Sequence, residues 1–166
     1  RLGVASRVIG CVGDDLFGSD EPEVPGVGGN DGGDGGGAAL TLSAAAFDPE
    51  GDGSEHDDEA PRAVDGDLAT AWTSEEYNTR EDFRGIKPGV GLVLTLEQAA
   101  AMGELVVDTD AAFTGWSASV YVADAPAGDL AGWGDPVRTQ EAVQAERTAF
   151  DLSGQTGGAV RVSRNQ

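Results

Sequence analysis

The chain has 166 residues with 30 acidic against 10 basic side chains, a net charge of −20, and it carries 26 glycines and 7 prolines. A surface this negative repels phosphate backbones and anionic lipid headgroups, which excludes nucleic acid and acidic membrane surfaces as partners and leaves cations and neutral polar ligands such as sugars. The glycine and proline content keeps part of the chain out of any packed core, so one domain plus a tail is expected.

Residues 1–17 open with short apolar runs, Leu2 to Ala5 and Val8 to Val12, that read as the end of a membrane-proximal segment of a longer parent or as plain linker. No run approaches the ~18–20 apolar residues that a bilayer-spanning helix needs. The chain starts at Arg1, as a fragment would, and the single cysteine, Cys11, rules out an internal disulfide framework. Residues 18–39 alternate glycine and acid without apolar periodicity, a composition that cannot recover the entropy of ordering, and predict a disordered, flexible linker.

Order is expected to begin at Leu40, with a first strand running from Leu40-Thr41-Leu42-Ser43 toward Phe47. Further strands are predicted at Val90–Leu96, Glu104–Asp108, Trp116–Val122, Ala149–Leu152 and Ala159–Val162, each short and bounded by Gly, Pro, Asp or Ser. In the Trp116 stretch, Trp116, Ala118, Val120 and Val122 fall on one face, as a half-buried strand requires. Glu97–Met102 and Glu141–Glu146 have helical composition and are expected as single helical turns on the sheet. Short strands between turn-rich loops predict an all-β, antiparallel β-sandwich over residues 40–166.

The most informative segment is Arg62-Ala63-Val64-Asp65-Gly66-Asp67-Leu68-Ala69-Thr70-Ala71-Trp72, a tight Asp-Gly turn followed by threonine and tryptophan. It resembles the discoidin, or coagulation factor five/eight type C, family, which includes galactose-binding-like carbohydrate-binding modules. The resemblance implies a jelly-roll sandwich in which this segment wraps a structural calcium ion and sends Trp72 into the core. By position, Asp65 would give its carboxylate, Arg62 and Asp67 their carbonyl oxygens, and Thr70 its hydroxyl and carbonyl, a hard-oxygen set of the kind calcium takes. The family's late glutamate has no counterpart in Val160 to Gln166. The alternative is a turn and a packed tryptophan without metal.

A second acidic cluster runs from Phe47 to Glu59, where Asp48, Asp52 and Glu55, spaced around glycines, offer three carboxylates to a second ion. A plain solvated loop is the competing reading. Phe47 to Gly53, Ala63 to Trp72, Tyr77-Asn78 and Gly85 to Leu92 together are similar to the extracytoplasmic C-terminal domain of some actinobacterial MviN-type lipid II flippases. That resemblance implies an extracytoplasmic module tethered to the membrane through its parent. In that group the domain ends in an apolar, tryptophan-bearing strand that is missing here, so the ending is expected to be either truncated, with an incomplete last strand, or divergent.

Tyr77, Asn78, Arg80 and Arg84 mix an aromatic face with hydrogen-bond donors and are the candidates for ligand contact, with a glycan or cell-wall component as ligand. The competing reading packs Tyr77 over a sheet edge and sets the arginines against the acidic loop. Trp133, between two glycines, is expected as an exposed platform, whereas Trp116 is expected in the core. With His56 the only histidine, no nucleophile–base pair or zinc site is evident, and the chain is expected not to be an enzyme. The expected role is a carbohydrate-binding or cell-wall-binding accessory module. The alternative is a structural domain that contacts a protein partner and binds no glycan.

Overall fold

The computed structural model describes residues 5–12, 40–51, 54–67, 69–74, 89–110, 115–144 and 146–165. The fold is all-β: the described residues form seven strands, β1 (Ala5–Val12), β2 (Leu42–Phe47), β3 (Trp72–Thr73), β4 (Gly89–Thr109), β5 (Trp116–Ala123), β6 (Arg138–Val143) and β7 (Arg147–Asn165), joined by antiparallel ladders. The strand order is β3-β1-β4-β7-β5-β6, with β2 also paired to β4.

Two long strands organise the sheet. β4 merges the expected strands at Val90–Leu96 and Glu104–Asp108, and β7 merges those at Ala149–Leu152 and Ala159–Val162. The two run antiparallel along most of their length, from Gly89↔Asn165 to Asp108↔Arg147. The first half of β4 also pairs with β2, and its second half with β1.

The middle of the ribbon is irregular, and the irregularity has a purpose. Leu92, Leu94, Leu96 and Met102 occupy even positions of β4, whereas Leu105 and Val107 occupy odd ones, yet all six are buried in one core. A regular strand would turn Leu105 and Val107 to the opposite face. The register shift between Met102 and Glu104 restores their direction, and the earlier shift between Thr95 and Ala100 sets residues 96–99 opposite Gly158 alone. Both halves of the ribbon thereby feed a single core, completed by Trp116, Ala118 and Val120 of β5, Val143 of β6, Phe150, Leu152, Val160 and Val162 of β7, and Trp72.

Gly91 is where the centre of the sheet is tightest. It pairs with Phe47 on one side and Ser163 on the other, and a Cβ there would overlap the Val162 carbonyl oxygen. The opposite face of this half carries a smaller cluster of Phe47, Val93, Trp133 and Ala159, which is why Val90 to Leu94 are buried without alternation.

Several expectations need correction. Glu97–Met102 is extended and belongs to β4: six residues of good helix formers cannot nucleate a helix whose two flanks are held in ladders with β2 and β7. In the second segment expected to be helical, Glu141 to Val143 close β6, with Ala142 at a φ of 49° beside the register shift that lets Val143 pair with Trp116. Order does not begin at Leu40, because β1 lies ahead of the glycine-rich stretch and pairs with both β3 and β4. At the other end of the chain, β7 is paired with β4 and with β5 as far as Asn165. Among the described residues no helix is long and apolar enough to cross a membrane.

Candidate functional site

The segment from Ser54 to Ser74 enters the core twice and turns at the surface between. A 3₁₀ helix, Asp57–Ala63, buries Ala60 and Ala63 against the main core and presents Asp57, Asp58 and Arg62 outward. His56, at a φ of 51°, starts it, and its Nδ1 lies 2.8 Å from the Thr73 carbonyl oxygen and 3.3 Å from Thr73 Oγ1. Nδ1 therefore carries the proton and donates to that carbonyl. The Thr73 hydroxyl donates to Glu59 Oε2 at 2.9 Å, and Arg62 Nη1 donates to Glu59 Oε1 at 2.7 Å. Both contacts favour the carboxylate; the Thr73 hydroxyl is the larger influence and holds the Glu59 carboxyl below its usual range. This network ties the 3₁₀ helix to β3. It couples residues 14 and 17 positions apart, so no local motif announces it.

Between the helix and β3 lies the turn of Asp65, Gly66, Asp67 and Thr70. Gly66 takes a φ of 78°, which glycine adopts without penalty. Asp65 Oδ1 accepts from the Asp67 backbone N–H at 2.8 Å, and Asp65 Oδ2 accepts from the Thr70 hydroxyl at 2.7 Å. Asp67 Oδ1 accepts from the Ala69 N–H at 2.8 Å, while the Asp67 carbonyl oxygen lies 3.1 Å from Thr70 Oγ1. Asp65, Asp67 and Thr70 are thus brought together, with Asp65 Oδ2, Thr70 Oγ1 and the Asp67 carbonyl oxygen in one small group.

These oxygens suit calcium in kind. Their number is short of the about six to eight that calcium takes, so backbone carbonyls and water would complete the shell. Binding would also replace the hydroxyl-to-carboxylate bond between Thr70 and Asp65. Arg62, expected to lend its carbonyl, has its guanidinium engaged by Glu59 at 2.7 Å.

In the second acidic cluster Glu50, Asp57 and Asp58 are exposed, as in a solvated loop, whereas others are not. Asp48 and Glu55 are buried, at 6% and 0% exposure, and Asp52 lies outside the described residues. Among the described residues no three His, Cys, Asp or Glu side chains converge as a metal site, so Asp48 and Glu55 do not form one with a third described carboxylate. The Glu55 carbonyl oxygen instead accepts from the Trp72 indole.

Of the ligand-contact candidates, Tyr77, Asn78, Arg80 and Arg84 lie outside the described residues. Trp133 is described, and the expectation of an exposed platform is overturned: it is 3% exposed, in the second cluster with Phe47, Val93 and Ala159. A short 3₁₀ turn, Ala131–Trp133, folds the ring inward, and its Nε1 donates to the Ala127 carbonyl at 3.0 Å. The flanking glycines read as exposure, but the polar end of the indole is satisfied locally, which lets the ring bury. Trp72 and Trp116 are in the main core as expected.

No family model and no solved structure matches this chain.

Proposed function

We propose that the chain is a non-catalytic, discoidin-like binding module with a jelly-roll sandwich fold. In this reading it is displayed outside the cytoplasm and tethered to the membrane through a parent protein of the MviN-type flippase kind. Its ligand is a glycan or cell-wall component, met by Tyr77, Asn78, Arg80 and Arg84, and a calcium ion held by Asp65, Thr70 and the Asp67 carbonyl stiffens the turn. The observation that carries the reading is the pairing of that oxygen-rich turn with Trp72: in an all-antiparallel fold, the turn leads within two residues of Thr70 into a tryptophan that is 3% exposed. The net charge of −20 favours cations and neutral sugars over phosphate-bearing partners.

The test is an amide-resonance titration of the full chain with soluble peptidoglycan fragments. Shifts confined to the segment around Tyr77 and Arg80 are expected, and unchanged spectra at millimolar ligand remove the glycan reading. The burial of Trp133 favours the second reading, a structural domain that contacts a protein partner and binds no sugar, because it takes one aromatic platform away from the surface.

A further inference from the structure

Arg161 stands on β7 with its side chain on the face opposite the main core, and it is 2% exposed. Its guanidinium carbon lies 3.8 Å from the centre of the Tyr121 ring, 4.9 Å from that of Phe47 and 5.6 Å from that of Trp133. Cation–π attraction compensates part of the cost of burying the charge. Part of its hydrogen-bonding capacity is not used: Nε and Nη1 are buried with no hydrogen-bond partner among the described residues. Buried polar groups are normally bonded, and a buried charge with idle donors is among the costlier arrangements a fold retains. In a chain with 10 basic residues against 30 acids, the idle donors are all the more conspicuous.

What closes this site is a loop that buries Trp133, with Ala127 and Leu130 partly buried beside it, in the cluster of Phe47, Val93 and Ala159. Across residues 124–136, between β5 and β6, only Trp133 is buried. The hydrogen bonds of this loop are made within itself: Gly132 N–H to Asp129 Oδ1 at 2.8 Å, Trp133 Nε1–H to the Ala127 carbonyl at 3.0 Å, Trp133 N–H to the Leu130 carbonyl at 3.2 Å and Gly134 N–H to the Ala131 carbonyl at 3.3 Å. The bond that anchors its far end, Val137 N–H to the Val120 carbonyl at 2.8 Å, lies beyond it. The loop can therefore lift as a unit, at the cost of withdrawing the Trp133 ring and the lesser packing of Ala127 and Leu130, without breaking any of these internal bonds.

We propose that Arg161, Tyr121 and Phe47 form the floor of a closed binding site for a small organic carboxylate, and that the Trp133 loop is its lid. The carboxylate accepts the idle N–H groups, a charge-assisted bond of the stronger class, while its ring or apolar body lies against the aromatic faces. Aromatic walls suit an organic anion better than a small inorganic one, which they would only desolvate. This site is separate from the glycan contacts proposed above and does not depend on them.

The experiment is a proton–nitrogen resonance titration of the full chain with D-glucuronate and, separately, benzoate. D-glucose, benzyl alcohol and sodium chloride at matched ionic strength serve as controls. The expected result is movement of the Trp133 indole and Arg161 Nε–H signals with at least one carboxylate and with none of the controls, and its loss in Arg161→Met; which of the two carboxylates acts tells a sugar acid from an aromatic acid. No response to either, an equal response to chloride, or a response retained in Arg161→Met overturns the proposal. Should Arg161→Met fail to fold, Trp133→Leu removes the edge-on contact of the lid with Phe47 and leaves the floor intact, with Arg161 Nε–H as the readout. It is expected to tighten the apparent affinity about threefold to tenfold, the factor by which losing one aromatic contact shifts an open–closed equilibrium. Unchanged or weaker affinity in that variant overturns the lid.

Discussion

The indole Nε1 of Trp72 donates to the backbone carbonyl of Glu55 at 2.8 Å, joining the two ends of the segment that carries the Asp65 turn. The bond is buried, and Trp72 packs in the same core as Ala60 and Ala63 of the intervening helix. Replacing Trp72 by alanine removes the ring and orphans a buried carbonyl. The expected loss is about 3–5 kcal/mol of unfolding free energy, measured by urea titration. Phenylalanine keeps much of the packing and loses the bond, so its cost should be clearly smaller.

Glu59 makes stability depend on acid. Its folded carboxyl sits below the ordinary value of 4.5, chiefly through the Thr73 hydroxyl and secondarily through Arg62. A group depressed on folding contributes stability that is fully present above its unfolded value and lost as pH falls through the folded one. The difference in melting temperature between the parent chain and Glu59→Gln should therefore be constant near neutrality and shrink below about pH 4.5. A difference that grows on acidification would contradict the assigned hydrogen bonds.

Ala142 occupies the left-handed region at a φ of 49°, on an exposed position next to buried Val143. The Cβ is strained there by about 1–2 kcal/mol, against which glycine loses some unfolded-state entropy. Ala142→Gly is expected to raise the unfolding free energy by about 0.5–1 kcal/mol. A chemical-denaturation midpoint that falls instead would mean that the β6 irregularity is not built as described.

Gly91→Ala tests the sheet centre. The added methyl has no room beside the Val162 carbonyl, so β4 and β7 must separate locally, at a cost of about 1–3 kcal/mol. Amide exchange should quicken at Leu92 and Val162 before it does at the far end of the ribbon, near Val107.

Much of the fold was legible because apolar alternation is local. Trp116, Ala118 and Val120 and the residues around Leu92 and Leu94 read correctly as strand faces, and Trp72 read correctly as core. The continuity of β4 was not legible: Glu97 to Met102 has helical composition, and only pairing with distant β7 makes it extended. The role of β1 was hidden for the same reason, since its partners lie 60 or more residues away in sequence. The Asp65 turn could be read from its residues. Trp133 could not, because its burial rests on Ala127 accepting its N–H and on Phe47 meeting it edge-on at 6.2 Å. Arg161 gave no signal at all, as a lone arginine among valines carries no pattern.

The central claim, a discoidin-like module stiffened by calcium at the Asp65 turn, is tested most directly by a calcium titration of the full chain followed by amide resonances, with thermal melting in calcium and in chelator alongside. Binding is predicted to move the amides of Asp65, Asp67, Ala69 and Thr70, to raise the melting temperature with calcium concentration, and to disappear in Asp65→Asn. Unmoved resonances at that turn, together with the same melting temperature in calcium and in chelator, would contradict it.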